Sequence, residues 1–233
     1  MKNMNELLAA NPYPGRGIMI GKSADGKYGV IAYFIMGRSE NSRNRVFLPT
    51  EDGIRTEAHD PSKLIDPSLI IYHPVRVSHG KTIVTNGDQT DTIYDALEAG
   101  HCYRHALITR TFEPDPPHYT PRISGVLLPN GDYKLSILKS NDGDPSTTLR
   151  YFYEYFDAQP GCGRFIHTYA REAERLESFE GEPISVAVTA PDAHALADSL
   201  WNSLNEANKV ALFTRYVDLA TGETDDCIIN KLG

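Results

Sequence analysis

The chain reads as an α+β fold, with a layered α/β/β/α arrangement as its more specific form. Three observations point there. Strand-like segments outnumber helix-like ones. The helix-like segments follow hairpins instead of alternating with single strands, which argues against a doubly wound parallel sheet. One run, Val30-Ile31-Ala32-Tyr33-Phe34-Ile35-Met36, is apolar nearly throughout. Such a strand is covered on both of its faces, so its sheet carries a layer on each side.

The elements follow in chain order. Asn5 to Ala10 suits one or two helical turns, ended by Pro12, Pro14, Gly15 and Gly17. Gly17–Gly21 and Tyr28–Met36 form a hairpin across Ser23-Ala24-Asp25-Gly26. Arg45–Leu48 is a short strand. Leu69–Val77 and Lys81–Val84 bracket a Ser78-His79-Gly80 turn. Thr90 suits the N-cap of a helix over Asp91–Ala99, stopped by Gly100. Ile123–Leu128 and Tyr133–Leu138 flank Pro129-Asn130-Gly131-Asp132, a hairpin signal. Leu149–Phe156 is an aromatic strand. Tyr169–Phe179 is charged and favours helix. Ile184–Thr189 is a strand, and Asp192–Lys209 a helix with Ala, Leu and Trp201 on one side. Val210–Asp218 and Cys227–Ile229 are final strands. No Pro/Gly/Ser-rich linker divides the chain, and Asn141–Ser146 is short enough to be a loop. Residues 1–233 are therefore expected to form one domain, a length that buries a sizeable core.

Charge narrows the partners. The net charge is −8, with a pI near 5.5. An acidic surface repels nucleic acid and anionic membranes, so neither is an expected partner. A small anionic substrate instead needs a local basic site inside the acidic envelope. Cys102, Cys162 and Cys227 match neither a disulfide framework nor a zinc spacing. They read as reduced thiols. No segment has the apolar length of a membrane span, and Met1–Ala10 lacks a signal-peptide core. The expected location is cytoplasmic. The eight histidines form no HExxH-like pattern, so no metal site is expected.

Four clusters carry candidate chemistry. The first is Gly37-Arg38-Ser39-Glu40-Asn41-Ser42-Arg43-Asn44-Arg45, directly after the buried strand. Arginine forks and serine hydroxyls suit phosphate oxygens, while the plain reading is a solvated turn. The second is Tyr72 with Asn86-Gly87-Asp88 and Asp91. A tyrosine hydroxyl can donate to a developing oxyanion, although a lone tyrosine is more often a core aromatic. Asn86-Gly87 is first a turn, and Asp91 first a helix start. The third runs from Thr111 through Glu113-Pro114-Asp115-Pro116-Pro117 to Thr120-Pro121-Arg122. Prolines stiffen it, so a carboxylate there is held at low entropic cost. Glu113 is a general-base candidate on equal footing with a solvated surface acid. The fourth, Pro160-Gly161-Cys162-Gly163-Arg164, places a thiol near an arginine. An idle cysteine in a glycine turn is favoured there.

These clusters in this order resemble the archaeal-type IMP cyclohydrolases and their bacterial relatives, over roughly residues 13 to 190. The motifs are Gly15-Arg16-Gly17, Arg38-Ser39 with Asn44-Arg45, Tyr72, Asn86-Gly87 with Thr90-Asp91, Glu113 and Asp115, and Thr120-Pro121-Arg122-Ile123-Ser124-Gly125. Pro160 to Tyr169 is similar to the bacterial members. The resemblance implies a four-layer α/β/β/α sandwich like that of the N-terminal nucleophile hydrolases. Met1-Lys2-Asn3 offers no such nucleophile, so the fold is expected without that mechanism. The implied reaction is dehydrative closure of 5-formamidoimidazole-4-carboxamide ribotide to IMP, with a purine ribonucleotide substrate and no cofactor.

On that resemblance Arg38, Tyr72 and Glu113 are expected to be catalytic. Ser39, Asn44, Arg45, Asn86, Asp91 and Arg122 are expected to bind substrate. Two other readings stand beside it: a nucleotide-binding regulatory protein of the same fold without turnover, and an amide hydrolase using Cys162. A homo-oligomer with a site between subunits stays open.

Overall fold

The computed structural model describes residues 1–64, 67 and 69–233. It is an α+β fold built on two antiparallel sheets. In chain order the elements are α1 (Met4–Ala10), β1 (Arg16–Lys22), β2 (Tyr28–Met36), α2 (Glu40–Arg43), β3 (Arg45–Pro49) and β4 (Ile54–Ala58). Then come β5 (Val75–Ser78), β6 (Lys81–Thr85), α3 (Gln89–Glu98), α4 (Tyr103–Ile108), β7 (Arg122–Leu127), β8 (Tyr133–Asn141) and β9 (Asp144–Tyr155). The last are β10 (Cys162–His167), β11 (Ile184–Ala187), α5 (Ala193–Ser203), β12 (Lys209–Asp218) and β13 (Thr224–Asn230). One sheet has the order β11-β10-β1-β2-β12-β13, the other β3-β4-β5-β6-β7-β8-β9.

Strand β2 shows why its sequence is apolar on both faces. Ile31, Tyr33 and Ile35 join one cluster with Phe47, Val84, Ile123, Leu135 and Ile137 of the second sheet. Val30, Ala32, Phe34 and Met36 join another with Met4 and Leu8 of α1 and Leu196 and Leu200 of α5. The alternation of side chains along a strand sends neighbours to opposite clusters. A third cluster packs Ile93 and Leu97 of α3 and Leu107 of α4 against Ile83, Val126 and Leu138 of the second sheet. In α5 the buried residues Ala193, Leu196, Ala197 and Leu200 recur at helical spacing.

Both hairpins expected from the sequence are present, as are most strands. Four segments differ. Leu69–Val77 is a strand only from Val75. Before that the Ile70 and Ile71 amides turn back to the Pro67 carbonyl, and Pro74 has no N–H for a ladder. Strand pairing there gives way to side-chain support: the Tyr72 amide donates to Thr56 Oγ1 at 2.9 Å. Tyr169–Phe179 is not a helix. Tyr169, Leu176 and Phe179 are all buried, and the segment closes across itself through Ala170 N–H to Glu177 O and Phe179 N–H to Thr168 O. Packing of those three anchors overrides the helical preference of the charged residues between them. The helix begun at Asp192 ends at Ser203, short of Lys209, which opens β12. Helix α3 begins at Gln89 with Asp88 as N-cap, so Thr90 lies inside it and bonds to the Gly87 carbonyl instead. Strands β4 and β10 and helices α2 and α4 have no counterpart in the sequence reading, which takes Cys162 for part of a glycine turn where β10 begins. Among the described residues no helix is long and apolar enough to cross a membrane.

Candidate active site

Polar side chains converge where β1 and β2 of one sheet and β3 of the other meet the loop from Thr111 to Arg122. Arg45, first residue of β3, is fully buried. Its Nε donates to the Ser42 carbonyl at 2.8 Å, while Nη1 and Nη2 have no partner among the described residues. Beside it stand two buried phenols, Tyr33 and Tyr72, whose hydroxyls are 2.8 Å apart. Arg16, at the head of β1, also carries a buried Nε without a partner among the described residues. Burial and the neighbouring Arg16 both lower the Arg45 pKa. Burial also opposes the Arg16 charge, but Glu113 and the phenols of Tyr169, Tyr13 and Tyr72 outweigh it and hold its pKa above the ordinary arginine value.

Glu113 is 2 % exposed. Burial pushes its carboxyl up to about 7, against the pull of Arg16, Arg122 and Arg45. A carboxyl there is poised between base and acid at neutral pH. The Glu113 amide donates to the Thr120 carbonyl at 2.9 Å, which closes the proline-stiffened loop. Gly87 makes room beside it. A Cβ at residue 87 would lie 2.6 Å from Arg122 Nη1 and 3.4 Å from Glu113 Oε1.

Arg122 is held from one side. Its Nη1 donates to Gln89 Oε1 at 2.6 Å and pairs with Asp88 Oδ1 at 2.7 Å. Gln89 Nε2 in turn donates to Asn86 Oδ1 at 3.0 Å. The same Asn86 Oδ1 also accepts from the Ile123 amide at 2.8 Å, and Asn86 Nδ2 donates to the Pro121 carbonyl at 2.9 Å. Asn86 thus ties the β6–α3 turn to β7. Burial holds the Tyr72 phenol above its ordinary range, against the pull of Arg45 and Arg16.

The structure therefore brings together Arg45, Tyr72, Glu113 and Arg122 from the residues expected on sequence. Arg38 stands at the rim: its guanidinium lies 4.9 Å from the centre of the Tyr13 ring, and Nη1 donates to the Ala173 carbonyl. Tyr13 stacks on Tyr169 at 5.9 Å. Ser39 is exposed and caps α2 in a reciprocal bond with Ser42. Asn44 clamps Asp60 through Asn44 Nδ2 to Asp60 O and the Asp60 amide to Asn44 Oδ1. Asp91 belongs to a different group, with Arg76 Nη1 at 3.0 Å and His73 Nδ1 at 3.6 Å. Sequence reasoning misses Arg16, Tyr33 and Gln89 as site residues. Arg16 carries a readable signal, a charge at the head of an otherwise apolar strand. Tyr33 and Gln89 carry none, since both look like ordinary members of their elements.

A cleft of about 640 Å³ opens near this centre, lined by Pro117, His118, Lys139, His167 and Phe179 among others. Pro117 and His118 belong to the Glu113 loop, while Arg45, Tyr72 and Glu113 are not part of the lining. Cys162 is half-buried, with Sγ 3.1 Å from the Met1 thioether. His167 stands at the far end of β10, roughly 16 Å along the strand. Its ring nitrogen is engaged by the Tyr169 carbonyl at 2.8 Å, and burial lowers its pKa to about 4. Among the described residues no histidine hydrogen-bonds the Cys162 thiol. The same holds for metals: no three His, Cys, Asp or Glu side chains among the described residues are grouped to hold one.

Known proteins give a consistent picture. Residues 13–223 match the family described as IMP cyclohydrolase-like protein. The IMP cyclohydrolase of Methanopyrus kandleri is 34% identical over 146 residues, covering 57% of this chain and 71% of that protein. Those of Halobacterium salinarum and Methanococcus aeolicus are each 31% identical, over 55% and 56% of this chain. The aligned part spans 64% of each of these two relatives, under two thirds of their length.

Proposed function

The chain belongs to the IMP cyclohydrolase-like family, and we propose that it closes 5-formamidoimidazole-4-carboxamide ribotide to IMP and water in purine synthesis. One observation carries the reading. Two neighbouring arginines, the fully buried Arg45 and the half-buried Arg16, hold buried guanidinium nitrogens without partners among the described residues, beside a buried carboxyl near pKa 7. Buried cations without partners are costly, and an anionic, oxygen-rich substrate satisfies them.

The chemistry follows from the groups present. The carboxamide nitrogen is a weak nucleophile because its lone pair is delocalised. Holding it against the formyl carbon supplies up to about 7–11 kcal/mol of the barrier. Glu113 takes the proton that this nitrogen loses as the C–N bond forms. The formyl oxygen becomes an alkoxide, met by Arg45 and protonated by Tyr72. The formamido nitrogen then gives up its proton, which restores the Tyr72 phenol, as the C=N bond forms and the hydroxyl leaves as water. Glu113, now protonated, returns its proton to that departing oxygen. Arg16 and Arg122 keep Glu113 from becoming too weak an acid, and Arg38 contacts the phosphate at the rim. Ser39, Asn44 and Asn86 act through the loops they fix. These steps use no redox change and call on no cofactor.

We read residues 1–233 as one cytoplasmic domain and a four-layer α/β/β/α sandwich of the N-terminal nucleophile hydrolase type. The three apolar clusters, one between the sheets and one outside each, support that reading. The test is direct: purified protein without added metal is incubated with the formylated ribotide, and IMP is followed by chromatography. Formation of IMP above the uncatalysed rate is expected. Binding of IMP with no turnover contradicts the enzymatic reading and leaves a nucleotide-binding protein.

A further inference from the structure

The Tyr33–Tyr72 contact ties the two sheets together, and its direction follows from what surrounds each phenol. Tyr33 lies in the middle of β2, opposite Ile18 of β1 on one side and Phe213 of β12 on the other. Its ring stacks on Phe47 of β3, with 5.7 Å between the centres. It is 0 % exposed, and among the described residues its hydroxyl has one partner, Tyr72 Oη at 2.8 Å. Tyr72 approaches from the second sheet. The Thr56 amide donates to its carbonyl at 2.9 Å, and its own amide donates to Thr56 Oγ1. It is 5 % exposed.

A tyrosine hydroxyl carries one proton. With Tyr72 as the donor, the Tyr33 proton is sealed in the core with nothing to accept it, the costly arrangement for a buried polar group. With Tyr33 as the donor, that proton is placed. The proton left over is then the one on Tyr72, which keeps some exposed surface and can meet a ligand. Arg45 and Arg16 have no lone pair to offer and do not compete for it.

We propose that Tyr33 is a positioning residue for Tyr72: its hydroxyl donates to Tyr72 Oη, which leaves the Tyr72 proton for the substrate and holds the phenolate once that proton has gone. This rests on the cyclohydrolase reading for its kinetic consequence, not for the direction of the bond. In the step concerned the Tyr72 O–H bond breaks and the proton joins the alkoxide oxygen. The Tyr33 O–H bond stays intact, and its hydrogen bond strengthens because the acceptor is now an anion. The proton later lost by the formamido nitrogen returns to Tyr72. The other groups facing Tyr72 act on the same balance. Burial holds its phenol above the ordinary range and Glu113 adds to that, while Arg45, Arg16 and the Tyr33 hydrogen bond pull it down.

Tyr33→Phe deletes one oxygen and keeps the ring on Phe47. We expect kcat for IMP formation to fall about tenfold, with KM changed by less than about twofold. A more acidic phenol, 3-fluorotyrosine, placed at position 72 should recover most of that loss in Tyr33→Phe and change the parent protein less. An unchanged kcat, or a loss that the acidic phenol does not recover, overturns the proposal and leaves the cyclohydrolase reading intact. The direction of the bond is read without activity, in protein carrying 13Cζ-labelled tyrosine. The Tyr72 resonance, identified by its absence in Tyr72→Phe, should move downfield in Tyr33→Phe, because losing an accepted hydrogen bond returns electron density to the phenol oxygen. An upfield or unmoved resonance overturns the proposal even if the protein makes no IMP.

Discussion

Two arginine clusters in this protein look alike in composition and differ in what their charges meet. Arg76, on β5, pairs with Asp52 at 3.2 Å and Asp91 at 3.0 Å, and lies 3.4 Å from the centre of the Tyr94 ring. Burial works against its charge, but those two carboxylates outweigh it and raise its pKa. Arg45, more deeply buried, has two N–H-bearing nitrogens with nothing to bond among the described residues, and its pKa is lowered. A guanidinium with all its neighbours in place stabilises a fold modestly. One without them leaves the fold less stable than it could be, and is retained for a ligand. The same logic applies to the carboxylates: Asp91 has its cation, whereas Glu113 is held near neutrality by burial.

The largest effect should come from Glu113. Glu113→Gln is expected to lower kcat for IMP formation by about 10²–10⁴, measured by single-turnover chromatography. Next is Tyr72→Phe, which removes one donor to the developing alkoxide and should cost about 10² in kcat. It also leaves the buried Tyr33 hydroxyl without its partner, so the melting temperature should fall as well.

A third test uses stability alone. In the fold Glu113 binds its proton up to about pH 7, against a usual value of 4.5. As pH rises between those values the unfolded chain releases this proton first. The stability from this group is full below pH 4.5 and is lost by the time pH passes about 7. A glutamine in its place does not titrate. Relative to wild type, the Glu113→Gln variant should gain on the order of 3 kcal/mol between about pH 4 and 8, seen as several degrees of melting temperature. A constant difference across that range would show that the carboxyl is not buried as described. The smallest effect belongs to the other cluster: Asp91→Asn should leave kcat/KM within about twofold, because its carboxylate is partly exposed and serves Arg76.

Much of the fold is legible because periodicity is local. The β1–β2 and β7–β8 hairpins and the doubly covered β2 follow from apolar patterning and turn residues. Tyr169–Phe179 reads as helix because its three anchors act through tertiary contacts that no local pattern reveals. The site is legible in part. Glu113 stands out through the prolines around it, and Arg45 through the cluster it ends. Asp91 reads as part of the site because a helix start beside Asn86-Gly87 looks the same whichever cation it faces. Tyr33 is hidden for the opposite reason: in an apolar strand a tyrosine passes for core, and only the 2.8 Å contact with Tyr72 distinguishes it.

The most direct test sets Arg45→Met against Arg76→Met and measures IMP formation and melting temperature in both. The account predicts opposite outcomes. Arg45→Met should lose about 10²–10³ in kcat/KM while melting no lower than wild type, since a buried unpartnered charge is gone. Arg76→Met should keep its activity and melt lower. If Arg45→Met retains full activity, or if both variants behave alike, the unpaired arginines are not the substrate's site.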